Sequence, residues 1–203
     1  MSLSSRCASL MIVFGFVALQ SPASEPKTPI MEKKSEVAKA STPALPFDRD
    51  AVARVEAIRF KLPETTLKNG EKVEMEDFSF LNGGHKVDLS RLEELSVKKA
   101  ELTPTQIETL IQAIYGKNKK MPSAACYSPH HLFLFYDASG KLINSVELCF
   151  SCTGVVTSPE LPEKHWYRHD FRKLAKLCEE CGIGLHATTL KQFNKVMGTR
   201  EAN

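Results

Sequence analysis

Little in this chain leans on charge. With 27 Lys and Arg against 24 Asp and Glu the formal net charge is only +3, too small a surplus to hold a polyanion. The one basic cluster, Lys117-Asn118-Lys119-Lys120, has no interleaved aromatics to serve as a stacking platform. It reads as a solvated turn past a helix end, and nucleic acid is excluded as a partner. The common catalytic signatures are missing too: there is no HExxH, GxSxG, P-loop or GxGxxG. Neither CxxC is followed by His, which removes covalent c-type haem attachment. No HxE accompanies a PCxxC, which removes the zinc deaminases. No reaction can be assigned from these absences, so whether the chain is an enzyme stays open.

What is there begins with a leader. Arg6 precedes an apolar run at residues 7–19, and Ser21-Pro22-Ala23 offers small residues at the cleavage positions. This is the pattern of a secretory signal peptide over residues 1–23, with a mature N-terminus near Ser24. The run is short for a membrane span, so no membrane association is expected once the leader is cleaved, and the protein is expected to be exported, periplasmic or secreted. Cys7 leaves with the leader. Five cysteines remain: Cys126, Cys149, Cys152, Cys178 and Cys181. In an oxidising compartment an odd number implies a free thiol, a link between chains, or metal ligation.

Residues 24–47 are rich in Pro, Ser, Ala, Lys and Glu without apolar periodicity, the composition of a disordered linker. At 203 residues and 42% apolar content, the remainder is long enough for one core, a single domain at 48–203. Ile58, Phe60 and Leu62 alternate with Arg59 and Lys61, which predicts a half-buried strand over 54–62 ended by Pro63. Lys68-Asn69-Gly70-Glu71 reads as a turn, and Val73, Met75 and 78–81 as a further strand. His85 reads as an exposed loop residue. A short helix over 91–95 is expected with Ser90 as its N-cap, then a strand over 97–102. Thr103-Pro104-Thr105-Gln106 is a capping box with Pro at N1, and it opens an amphipathic helix that stops at Gly116. Residues 153–162 read as a loop. His165 and His169 read as the lead-in to a helix from Asp170, whose inner face carries Phe171, Leu174, Leu177, Cys178 and Cys181. On that face the second CxxC reads as buried small hydrophobes. A last helix, capped by Thr188 or Thr189, is expected to turn Leu190, Phe193, Val196 and Met197 inward and to close at Gly198. His186 reads as an exposed loop residue.

The organising stretch is 126–152. Two apolar runs, 131–136 and 142–150, flank Asp137-Ala138-Ser139-Gly140-Lys141, the signature of a hairpin with a type I turn and Gly in a G1 bulge. If Asp137 pairs with Leu142, paired numbers sum to about 279, which sets Cys149 opposite His130 and Cys152 opposite Tyr127, beside Cys126. Cys126, His130, His131, Cys149 and Cys152 would then meet at the open end of one hairpin. Cys149 and Cys152, completed by Cys126 and by His130 or His131, are a Cys3His donor set for zinc. A second arrangement pairs the two CxxC motifs around one metal, at the cost of drawing Cys178 and Cys181 from an apolar face. A third is a Cys126–Cys152 disulfide, worth roughly 3–4 kcal/mol on loop length. A fourth makes Cys149 and Cys152 a redox pair, although no helix starts there to lower the thiol pKa.

Cys126-Tyr127-x-Pro129-x-His131, followed by Phe135-x-Asp137, Gly140 and Cys149-Phe150-x-Cys152, resembles an uncharacterised group of bacterial exported or lipid-anchored proteins with a C-[YF]-x-P-[RH]-H…CFxC signature. The capped helix at Thr103 and the helix ending in Gly182-Ile183 are similar as well, so the resemblance spans roughly residues 102–183. It implies a shared site without naming an activity. His130 stands where such sequences often carry Arg, which makes His131 the constant ligand on the resemblance, whereas alternation from Cys149 favours His130. The expectation is therefore an α+β domain, an antiparallel sheet containing a β-hairpin and packed by three or four helices. Its Cys/His cluster would stabilise the fold through zinc or a disulfide and serve a binding or structural role toward a protein or small-molecule ligand. The competing expectation is a thiol-disulfide oxidoreductase or thiol-dependent enzyme using Cys149 and Cys152.

Overall fold

The structure is a computed structural model and describes residues 45–75, 78–81, 86–121, 126–161 and 168–202. The leader, most of the linker, His85 and His165-Trp166-Tyr167 lie outside the described residues. The fold is α+β. Five antiparallel strands form one sheet in the order β4-β1-β5-β6-β7: β1 (Arg54–Phe60), β4 (Ser96–Glu101), β5 (His131–Tyr136), β6 (Leu142–Cys149) and β7 (Gly154–Ser158). A two-stranded ribbon, β2 (Glu64–Thr66) with β3 (Lys72–Glu74), projects between β1 and β4 in sequence. Among the described residues there are four helices: α1 (Leu89–Leu95), α2 (Pro104–Tyr115), α3 (Phe171–Glu180) and α4 (Leu190–Ala202).

Both faces of the sheet are covered, which explains why β5 is buried at every position. Val55, Ala57, Phe133, Phe135, Val146 and Leu148 pack against α2, α3 and α4. Ile58, Phe60, Leu132 and Leu134 turn the other way, under Phe80, Leu81, Leu92 and Leu95 from α1 and the segment before it. Each fully buried Leu, Ile or Phe contributes about 1.5–3 kcal/mol, so two covered faces give a small domain its stability. β1 is correspondingly buried from both sides over Val55, Ala57 and Ile58 rather than half-buried, because the Arg59 face, expected to meet solvent, sets Val55 and Ala57 against the helix-side core.

The β5–β6 hairpin has the expected register from His131 opposite Leu148 to Phe135 opposite Asn144, with a bulge that sets Tyr136, not Asp137, against Leu142. Gly140 at φ +81° closes the turn, and the Asp137 carboxylate accepts from the Ser139 and Lys141 N–H groups. The Thr103–Gln106 capping box forms at the start of α2 and its counterpart, Thr189–Gln192, at the start of α4. α1 begins earlier than expected, because Asp88 rather than Ser90 accepts from the Arg91 N–H. The segment 78–81 is a loop rather than a strand. α4 runs through Gly198 to Ala202, and Val196 faces solvent. Leu45 and Phe47, placed in the linker by composition, pack on the core, Phe47 edge-on to Tyr115.

The largest departure is β7. Residues 153–162 were expected to be loop, yet Gly154–Ser158 pairs along β6 from Cys149 to Ser145. The chain therefore reverses at 150–153, so the CxxC occupies a strand-to-strand turn instead of running on along the hairpin.

Candidate functional site

The five sequence-predicted ligands are divided over three places. His131 opens β5 on the helix-covered face. One ring nitrogen, Nε2, lies 2.9 Å from the Gly184 carbonyl, and Phe150 meets its ring edge-on at 4.9 Å. Burial drives its pKa down to about 3 against that hydrogen bond. This imidazole packs the core and turns away from the thiols, a consequence of the strict alternation along β5.

His130, one residue earlier, faces the other way. Its Nδ1 lies 3.1 Å from the Ser128 carbonyl, its ring stacks on His186 at 3.6 Å, and Phe60 lies parallel at 6.3 Å. Burial first, then the neighbouring His186, lowers its pKa to about 4. His186 is exposed, as expected, but it is a partner of His130 rather than an isolated loop residue.

Cys149 and Cys152 do come together, at the β6–β7 turn. The Cys152 thiol is directed to the Cys149 carbonyl at 4.0 Å and lies within reach of the Cys149 sulfur, toward which the backbone N–H groups of Ser128, Cys152 and Ser151 are also turned. The Cys152 side chain foremost, with the N–H groups, brings the Cys149 thiol down to about 6 against the effect of burial. Cys152 has its pKa raised by the same contact, with burial and the Cys149 charge adding to the effect, while the Gly154 N–H pulls the other way. The two shifts run in opposite directions, Cys149 toward thiolate and Cys152 toward thiol. Both residues are buried, at 0% and 1% exposure. Thr153 at φ +54° makes the tight reversal, and Arg200 of α4 donates to the Ser151 carbonyl at 3.0 Å. Phe150 anchors the turn on the helix side against Phe171 and Phe193.

Cys126 is exposed and close enough to Cys152 to act on its charge. The three thiols do not all fall within 4.8 Å of one another. All five described cysteines are thiols. Cys178 is wholly buried in the helix-side core, and Cys181 packs against it with its thiol directed to the Cys178 carbonyl at 3.5 Å, in keeping with the hydrophobe reading of that CxxC.

Two further groups lie beside the thiols: Glu147, not singled out in the sequence, and Tyr127, which entered there only as a register position and a residue of the signature. The Glu147 carboxylate is fully buried on the same face of β6 as Cys149, bonded by the Ser79 hydroxyl, the Phe80 N–H and Tyr127. Burial raises its pKa to about 7 against those bonds. The Tyr127 ring packs on Gly154, where a Cβ would meet the ring at 2.8 Å and the Cys152 sulfur at 3.1 Å. One acid in the apolar run of β6 was the available signal for Glu147. The chain matches no protein-family model, no curated protein and no solved structure.

Proposed function

We propose that the β6–β7 turn is a thiolate knuckle for zinc, with Cys149 and Cys152 as its fixed ligands and Cys126 as the third, and that the bound ion stabilises the domain of an exported protein. The carrying observation is the convergence of two buried cysteines on one tight strand-to-strand turn, with the backbone N–H groups of Ser128, Ser151 and Cys152 toward Cys149 and that of Gly154 toward Cys152. N–H donors favour thiolate over thiol and orient a ligand without adding charge. Two adjacent thiolates repel, and a dication between them would let both sulfurs ionise. Their burial suits a structural site, which is closed to solvent. Cys126, at the surface, would close onto the pair as the third sulfur.

The lowered pKa of Cys149 favours a second reading, a thiol-disulfide oxidoreductase, since the thiolate is the nucleophile. Exchange also needs an attacking sulfur that a substrate disulfide can reach, and neither sulfur's residue is more than 1% exposed. The structural reading therefore ranks first. Thermal unfolding of the parent, Cys149→Ser and Cys152→Ser, each with and without a chelator, tests it. The parent should lose stability to the chelator, and the variants should start low and lose nothing more. Parental stability in both variants, with reductase activity in the parent alone, would replace the reading with the second.

A further inference from the structure

We propose that Glu74, His130 and His186 form a second site, independent of the thiols, for a first-row transition dication of the zinc, nickel and copper class. Glu74 ends β3, His130 immediately precedes β5 and His186 lies in the loop between α3 and α4, so three separate elements converge. Each offers one ligand atom, and those atoms lie within 4.8 Å of one another.

The independent observation is the state of His130. Its residue is 8% exposed, and Nε2 is buried with no hydrogen-bond partner among the described residues. With Nδ1–H donating to the Ser128 carbonyl, the tautomer is fixed and Nε2 carries the lone pair. A carbonyl behind one ring nitrogen and an open lone pair on the other is the arrangement of a metal-ligating histidine. A buried polar atom without a partner is costly, and a metal ion would satisfy it.

The donor set decides the ion. Two neutral imidazoles and one carboxylate carry a charge of −1 and suit zinc, nickel or copper; calcium and magnesium prefer all-oxygen shells. Three protein ligands leave a coordination position for water, as in zinc sites with two histidines and a glutamate. The rings of His130 and His186 are parallel to within 9°. A metal lies near the plane of each imidazole it binds, so His186 must tilt out of the stack. It is exposed, in a loop with positive φ at Gly182, Gly184 and Ala187, so its ring would turn without displacing a buried side chain. Arg59, held on the Leu185 carbonyl at 3.2 Å, acts on His130 as a neighbouring positive charge and limits affinity.

The test is calorimetric titration of Zn²⁺ into the full chain, free of any polyhistidine tag, and into Glu74→Ala/His186→Ala. Both substituted residues are exposed, so folding is preserved and circular dichroism verifies it. The parent should bind one more Zn²⁺ per chain than the double variant, with each single variant weakened about tenfold or more, in line with losses on disturbing a metal site. In the parent, Zn²⁺ should also shift the His130 Nε2 resonance. Equal stoichiometry and affinity in parent and double variant would overturn the proposal and leave the two rings a packing pair. Failure of the thiol knuckle would remove one Zn²⁺ from both proteins alike, so the two readings are told apart.

Discussion

The Tyr127 hydroxyl lies 3.3 Å from the main-chain oxygen of Glu147 and 3.3 Å from its Oε2. Tyr127 thereby joins the segment next to Cys126 to the strand that ends in Cys149, and it seals a buried carboxylate between the sheet and the 78–81 loop.

That carboxylate has a pH signature. Its folded-state pKa, about 7, stands above the ordinary 4.5, so the folded state holds the proton more tightly than the unfolded one. The stability it contributes is fully present below pH 4.5, is lost as the pH rises to about 7, and is level beyond that. The amplitude is about 3 kcal/mol, at about 1.4 kcal/mol per pKa unit. Glu147→Gln should therefore gain on the parent progressively across that window, measured by denaturant unfolding at several pH values. A gap independent of pH would contradict the assignment.

His131 works in the opposite sense. Its folded pKa of about 3 lies below the ordinary 6.5, so its contribution is present above pH 6.5 and is lost as the pH falls toward 3. His130, lowered to about 4, adds to the same acid limb. His131→Gln should flatten that limb while costing about 1–3 kcal/mol at neutral pH through lost packing on Phe150. Thermal melts from pH 4 to 8, taken as rough bounds around the ordinary histidine value, would reveal it. An unchanged acid limb would contradict the burial argument.

Gly154 and Gly140 should respond differently to alanine. At Gly154 the added Cβ meets the Tyr127 ring and the Cys152 sulfur, so overpacking should cost about 1–3 kcal/mol and change the alkylation rate of the thiol pair. At Gly140 no described residue other than its chain neighbours lies within 4 Å of the added Cβ, and only the positive φ is strained, costing about 1 kcal/mol with thiol reactivity unchanged. Alkylation kinetics beside melting curves separate the two.

Cys178→Ala should cost about 1–2 kcal/mol through lost packing, Cys181→Ala less. Neither should alter metal content. Loss of metal in the double variant would show the second CxxC to be a ligand pair.

The legible parts were those in which a local pattern fixes the geometry. Asp137 through Lys141 dictate one turn and hence the β5–β6 register, and Thr103 with Gln106 dictates the start of α2. The separation of His130 from His131 followed from alternation, but only the structure shows that β5 is buried on both faces. β7 was missed because Gly154 and two prolines read as loop, although Val155-Val156-Thr157 carried a β-branched signal. His186 and Glu74 stand 56 residues on either side of His130 in sequence, and no spacing rule brings them together.

The thiol knuckle is tested most directly by titrating Co²⁺, a spectroscopic stand-in for zinc, into the reduced full chain. The account predicts a thiolate-to-cobalt charge-transfer band that saturates at one equivalent per chain in the parent and in His186→Ala, and that is lost in Cys149→Ser and Cys152→Ser. A parent that takes up cobalt without that band, or takes up none, would contradict it.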